Sequence, residues 1–357
     1  MLSDLMQGRK NNLDFVRLIA AVAVVFSHCF HLTTGDFTIE PVYVFSHGQT
    51  SLGSIAVIIF FVTSGFLISR SFERTPDLWS YIKARSLRIF PGLTLSVLFC
   101  MFVVGPIATN FHIIDYLSDK STYIYLSRAT TFAPDLNLPG VFSDNIYPDA
   151  VNSSLWTLKY ELLCYIFVAI AGVLRLINKR IMISLLILNL VYHMLPGTEV
   201  LGKYINDMAR FSLSFFVGML YYLYRSKIPQ NIYLFVASLL SCVASLQFGF
   251  FNEIFPIIGG YAIFYFALTP GIKLHGISKF GDLSYGVYIF AFPVQQLVTY
   301  FMKNDLIPIQ NFLISLPLIL ILSFISWHLV ERPFLRMKPS RKLTGPELTV
   351  VKSTGSF

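Results

Sequence analysis

Runs of roughly twenty apolar residues, nearly free of charge, recur along this chain and are separated by short polar segments rich in Lys and Arg. At 1.5 Å of rise per residue, about 20 such residues match the hydrocarbon thickness of a bilayer, so each run is a candidate membrane span. Ten are read, at 14–33, 52–70, 87–107, 154–174, 181–196, 211–224, 231–249, 254–270, 281–302 and 311–330. Inside a bilayer the backbone must satisfy its own hydrogen bonds, which leaves helices or a closed barrel. The runs lack the ten-residue polar and apolar alternation of a barrel, so helices are expected. Over 357 residues the composition agrees, at 55% hydrophobic and 13% charged. That is about half the charge density of an ordinary soluble protein. Disorder, nucleic-acid binding and a conventional soluble enzyme are excluded. The expected fold is all-α, a polytopic integral membrane bundle of about ten helices over residues 1–338, with a solvated, flexible tail at 339–357.

The formal charge of +8 could signal an acidic partner, but its distribution reads as loop anchoring. With the N-terminus inside, twenty Lys and Arg fall on the cytoplasmic side, and Lys120, Arg128, Lys159, Lys203, Arg210 and Lys303 fall opposite, leaving Arg17 within the first span. Both termini are therefore expected in the cytoplasm. Arg9 and Lys10 before an apolar run imitate a signal peptide, but Asp14 and Arg17 and the length of the run favour a retained span. Cys29, Cys100, Cys164 and Cys242 each lie in an apolar run without the spacing of a disulfide framework or zinc site, and read as small core residues. The longest connection, about 108–153, bears Asp115, Asp119, Asp135, Asp144 and Asp149 on the outer side. Its Pro and Asn content points to irregular structure, either binding a polar acceptor or serving as a surface connection.

Several ionisable residues stand where hydrocarbon makes them costly. Asp14, Arg17 and His28 are separated by 3 and 11 residues and so share nearly one helical face. That face must look inward, with Arg17 and His28 about 16 Å apart along the axis. These groups form either a functional set or a structural Asp14–Arg17 pair with a core histidine. Arg85 and Arg88, at i and i+3, can clamp phosphates through planar forks, or act as topology anchors. In Ser153-Ser-Leu-Trp-Thr-Leu-Lys-Tyr-Glu161, Trp156 and Tyr160 suit an interfacial belt. Glu161 is expected to share the outer half with His28, where a carboxylate would orient the imidazole as a general base, unless it pairs with Lys159 or an arginine. Ser64-Gly65 is a small patch admitting either a neighbouring helix or a thin ligand arm. No Gly-x-Ser-x-Gly, phosphate-binding glycine loop or His-Glu-x-x-His occurs.

Taken together these stretches resemble the membrane acyltransferase-3 family, the O-acyltransferases that decorate bacterial surface and exported polysaccharides, from Leu13 to about Phe334. The likeness rests on Arg17 and His28 with ten residues between them, Phe60-Phe-Val-Thr-Ser-Gly-Phe-Leu67, the Arg85-x-x-Arg88 pair, and Ser154-Leu-Trp-Thr-Leu-Lys-Tyr-Glu161. In this order and spacing they are specific. The resemblance implies transfer of an acyl group, usually acetyl, from cytoplasmic acyl-CoA to a carbohydrate hydroxyl, in the bacterial inner membrane. It implies that His28, Glu161 and Arg17 act in catalysis, and that Arg85 and Arg88, with Ser64 and Gly65, hold the donor. Asp14, Trp156 and Tyr160 would support them; no metal is implied. Acceptors would be lipopolysaccharide, exopolysaccharide or a lipid-linked saccharide. In Leu283-Ser-Tyr-Gly-Val-Tyr-Ile-Phe-Ala-Phe-Pro293, many relatives place a histidine where this chain has Ala291. That departure questions any two-histidine mechanism. No appended esterase-like domain is read, so the membrane module is expected alone. The rival from another class is a glycolipid or acyl-group flippase, using the same buried groups as a relay.

Overall fold

The computed structural model describes residues 1–2, 11–74, 77–131, 137–269, 271–272 and 274–338. The expected tail at 339–357, Arg9, Lys10 and Asp135 lie outside them. Each of the ten expected segments is helical: α1 Leu13–Thr34, α2 Leu52–Arg74, α3 Leu78–Phe99, α4 Leu158–Val173, α5 Lys179–Met194, α6 Lys203–Leu223, α7 Ile232–Phe248, α8 Gly260–Leu268, α9 Ser284–Phe301 and α10 Pro308–Ser326. Among the described residues there is no strand, only an isolated bridge between Thr109 and Val141.

Six stretches among the described residues are long and apolar enough to cross a membrane: Leu13–Thr34, Leu52–Glu73, Leu78–Ala108, Ser153–Val173, Phe251–Leu268 and Pro308–Arg336. The expectation of ten thus stands at six by length and apolarity. α5 and α7 are short, with 16 and 17 residues. α6 opens on Lys203, Asp207 and Arg210, and α9 carries two adjacent glutamines.

α9 is the axis of the bundle, because every residue from Ser284 to Gln296 is buried. α1 runs parallel to it. Arg17 meets Asp282 just before α9, and Val25 meets Gln295 near its other end. α2 runs the other way, since Gly53 lies against Ser27 and Phe60 lies under Arg17. α6 crosses α2 through Gly65 and Gly218. A Cβ at either would stand 2.1 or 2.0 Å from a backbone oxygen of the facing helix. Gly65 therefore stands at a close helix crossing.

Pro293 shapes how the long connection meets this axis. Lacking an N–H, proline cannot bond to the carbonyl four residues earlier, which in hydrocarbon would be costly. Here that carbonyl, of Ile289, accepts instead from Ser96 Oγ and Asn152 Nδ2, each at 2.9 Å. Asn145 Nδ2 donates to Oε1 of Gln296 at 2.7 Å, and Gln296 Nε2 donates back to the Tyr147 and Ala150 carbonyls. Between Asn145 and Asn152 the connection therefore descends alongside α9 by seven residues, about 10 Å. The connection is also less irregular than expected, containing helices at Ile113–Ser118 and Lys120–Thr130.

Candidate active site

One end of the bundle gathers the arginines. Asp282 Oδ2 accepts from Arg88 Nη2 at 2.6 Å and from Arg17 Nη1 at 3.3 Å, while its Oδ1 accepts from the Ser284 hydroxyl at 2.6 Å. Asp14 lies in the field of the same groups. Arg88 also faces the buried Glu331 at 3.8 Å and stacks over the Tyr285 ring at 5.5 Å. Arg85, one turn away, lies over Tyr165 at 5.9 Å, in the wall of an apolar cavity of about 530 Å3 between α3 and α4. Its Nε is buried without a hydrogen-bond partner. Beyond the spans, burial and the neighbouring Arg85 and Arg88 charges push the Lys338 ammonium down to about 8. Three cations thus act on one another near Asp282, a site suited to polyvalent anions.

Glu161 belongs to this end, not to the histidine. It accepts a short hydrogen bond from the Tyr165 hydroxyl and another from Ser64 Oγ at 3.3 Å. Ser64 lies eleven residues along α2 from Gly53, the neighbour of Ser27, so Glu161 stands about 16 Å from the level of His28. The expected His28–Glu161 partnership is therefore not formed. The reason is the descending connection: Thr157 already bonds the Tyr288 hydroxyl deep beside α9, so α4 begins well inside the bundle. Ser64 is thus a partner of Glu161. Tyr160 is buried, with its hydroxyl 3.3 Å from Asp207, and Trp156 packs on Phe211 at 5.5 Å. Lys159 lies over Tyr160 and Tyr204 and not beside Glu161.

His28 occupies the other end, on the same face of α1 as Arg17. It is half-buried, with its ring edge-on to Phe292 at 5.4 Å and to His31 at 5.6 Å. Its Nδ1 is buried without a hydrogen-bond partner. Tyr147, carried by the descending connection, closes against His31 at 5.1 Å and Phe292 at 6.0 Å. Ala291, where a second histidine was weighed, is fully buried against Ala21 and Val25. The four cysteines are also buried. Sequence reasoning missed Asp282, Glu331, Tyr165, His31 and Tyr147. Asp282 had a usable signal, a lone acid at the edge of an apolar run in a chain whose buried arginines require a counter-charge.

Residues 10–328 match the profile of a family described as an acyltransferase domain, the third of that name. The chain belongs to the acyltransferase-3 family. This acyltransferase is 32% identical over 347 residues to an "O-acetyl transferase" of Shigella phage Sf6, covering 94% of this chain and 99% of that protein. It is also 34% identical over 164 residues to "Nodulation protein 10" of Rhizobium leguminosarum bv. viciae, covering 44% of this chain and 43% of that one. No solved structure matches the acyltransferase.

Proposed function

We propose that this membrane acyltransferase moves an acyl group, acetyl in the first instance, from cytoplasmic acyl-CoA to a hydroxyl of a cell-surface or exported carbohydrate. The carrying observation is that α1 and α9, packed in parallel, hold a guanidinium and carboxylate cluster at Arg17, Arg88 and Asp282 and an imidazole at His28 about 16 Å away. In this reading the arginine end faces the cytoplasm of a bacterial inner membrane, an orientation that the excess of basic residues supports. Arg17, Arg85, Arg88 and Lys338 hold the CoA phosphates, and the extended thioester arm reaches along α9 towards Phe292 and His28. Tyr147 and His31 border the acceptor. The name of the phage relative, an O-acetyl transferase, supports acetyl as the group carried.

At His28 the acceptor oxygen attacks the thioester carbonyl as Nε2 takes the hydroxyl proton. The C–O bond forms, the C–S bond breaks, and the leaving sulfur takes the proton back from the imidazolium. Transfer is direct, without an acyl-enzyme. The test is incubation of purified protein in vesicles with radiolabelled acetyl-CoA and saccharide acceptor, looking for base-labile label on the saccharide. Label confined to acetyl-CoA would refute the reading.

Arg88→Lys keeps the charge but loses the planar fork that reaches Asp282 and a phosphate together, so acetyl-CoA is expected to bind about tenfold more weakly, measured by calorimetry in detergent. Unchanged affinity would return Arg88 to a structural role. Lys338 adds a pH dependence. Because its ammonium is held down near 8, its charge is present below that pH and lost above it. Acetyl-CoA affinity is expected to fall between pH 7 and 9, and Lys338→Met to flatten that fall while weakening binding at pH 7.

A further inference from the structure

Two orphaned atoms lie on the facing sides of α1 and α9. Gln295 Nε2 donates to the Val25 carbonyl at 2.8 Å, to Cys29 Sγ at 2.9 Å and to Asn311 Oδ1 at 3.3 Å. A backbone carbonyl only accepts, so the amide nitrogen must face it and the orientation of the side chain is fixed. Oε1 is thereby turned away from these partners and is left buried with none. On α1, Val25, His28 and Cys29 sit at i, i+3 and i+4, so the imidazole shares the face that Gln295 grips. His28 Nδ1 is likewise buried and unpartnered. Phe292, one turn before Gln295, packs on the imidazole. A buried unpaired acceptor and a buried nitrogen able to carry a proton are each costly alone and complementary together.

We infer that Gln295 is the positioning residue of His28: its Oε1 accepts the Nδ1–H, fixes that tautomer, and leaves the Nε2 lone pair facing the acceptor hydroxyl. This rests on the reading of His28 as the base, and it supplies the orienting partner that Glu161 does not provide. A neutral amide holds the tautomer without placing an anion in the membrane interior. Asn311 braces the arrangement, since its Nδ2 donates to the Gln295 carbonyl at 3.2 Å while its Oδ1 takes the amide proton. The adjacent Gln296 faces the other way and ties down the segment carrying Tyr147. One dipeptide thus serves both the imidazole and the ring that closes over its neighbour.

The deciding experiment is nitrogen NMR of histidine-labelled protein in bilayers at neutral pH, with the His28 signals assigned by their loss in His28→Gln. In the unaltered protein, a neutral imidazole protonated at Nδ1 is expected. Gln295→Met, which keeps the volume and removes the acceptor, should give a mixture of tautomers. It should also lower kcat roughly tenfold or more, with KM for acetyl-CoA unchanged. Gln295→Glu, which restores an acceptor at Oε1, should recover the Nδ1-protonated signal and kcat above that of Gln295→Met. A proton on Nε2 in the unaltered protein, or an unchanged spectrum in Gln295→Met, overturns the assignment. Continued activity of His28→Ala would overturn the base reading instead, an outcome the tautomer measurement does not share.

Discussion

His28→Ala should abolish O-acylation while the protein accumulates at a normal level. General base catalysis by a positioned imidazole is worth about 10²–10⁴ in rate, enough to take ester formation below detection in cells. Normal accumulation is expected because the imidazole contacts the rings of Phe292 and His31 and no ion pair depends on it. Its removal therefore leaves no buried charge unpaired, and the destabilisation is that of a partly exposed side chain. The measurement pairs immunoblotting of membranes with mass spectrometry of surface glycans, which reports both the added mass and the sugar that carries it. Ester content like that of the unaltered protein would remove His28 from the chemistry.

Asp282→Ala should have the opposite signature, a protein that fails through stability first. The carboxylate stands between Arg17 and Arg88, all three less than one-fifth exposed. Removing it leaves two guanidiniums largely desolvated and without their closest counter-charge, with Glu331 at 3.8 Å from Arg88 and Asp14 in the same field. Breaking a buried pair in this way costs about 3–5 kcal/mol. Thermal unfolding in detergent should therefore occur at a clearly lower temperature, with less protein in the membrane. Asp282→Asn keeps the shape and one acceptor for Ser284 and should fall between. An anion can take the missing place, so acetyl-CoA or pyrophosphate should raise the unfolding temperature of Asp282→Ala more than that of the unaltered protein. Equal shifts in the two would show that the arginines do not meet the ligand.

The helices and their inward faces were legible because hydrocarbon forbids alternatives: Arg17 and His28 had to look inward, and they do. The number of spans was less legible. α5, α7 and α9 are short or polar for a membrane helix, and what makes α9 central is burial by its neighbours, which apolarity alone does not report. Glu161 was misplaced for a specific reason. Its depth was judged from its place in the chain, on the assumption that a span begins at the membrane surface. Asn152 and Thr157 instead carry the chain down beside α9 before α4 begins. Gln295 carries no charge and sits in an apolar run, so nothing in its own character distinguishes it from the neighbouring Gln296. Only the third dimension separates their tasks.

Pro293 leaves the central helix one hydrogen bond short, and residues from outside that helix make up the deficit. The external segment that ends at Asn152 consequently cannot swing clear like a hinged cover without giving up a buried hydrogen bond, which would leave the Ile289 carbonyl to Ser96 alone. Under the proposed function, a saccharide bound for the imidazole would then approach from the side, past Tyr147. An acceptor still attached to a lipid carrier would already be travelling in the plane of the bilayer.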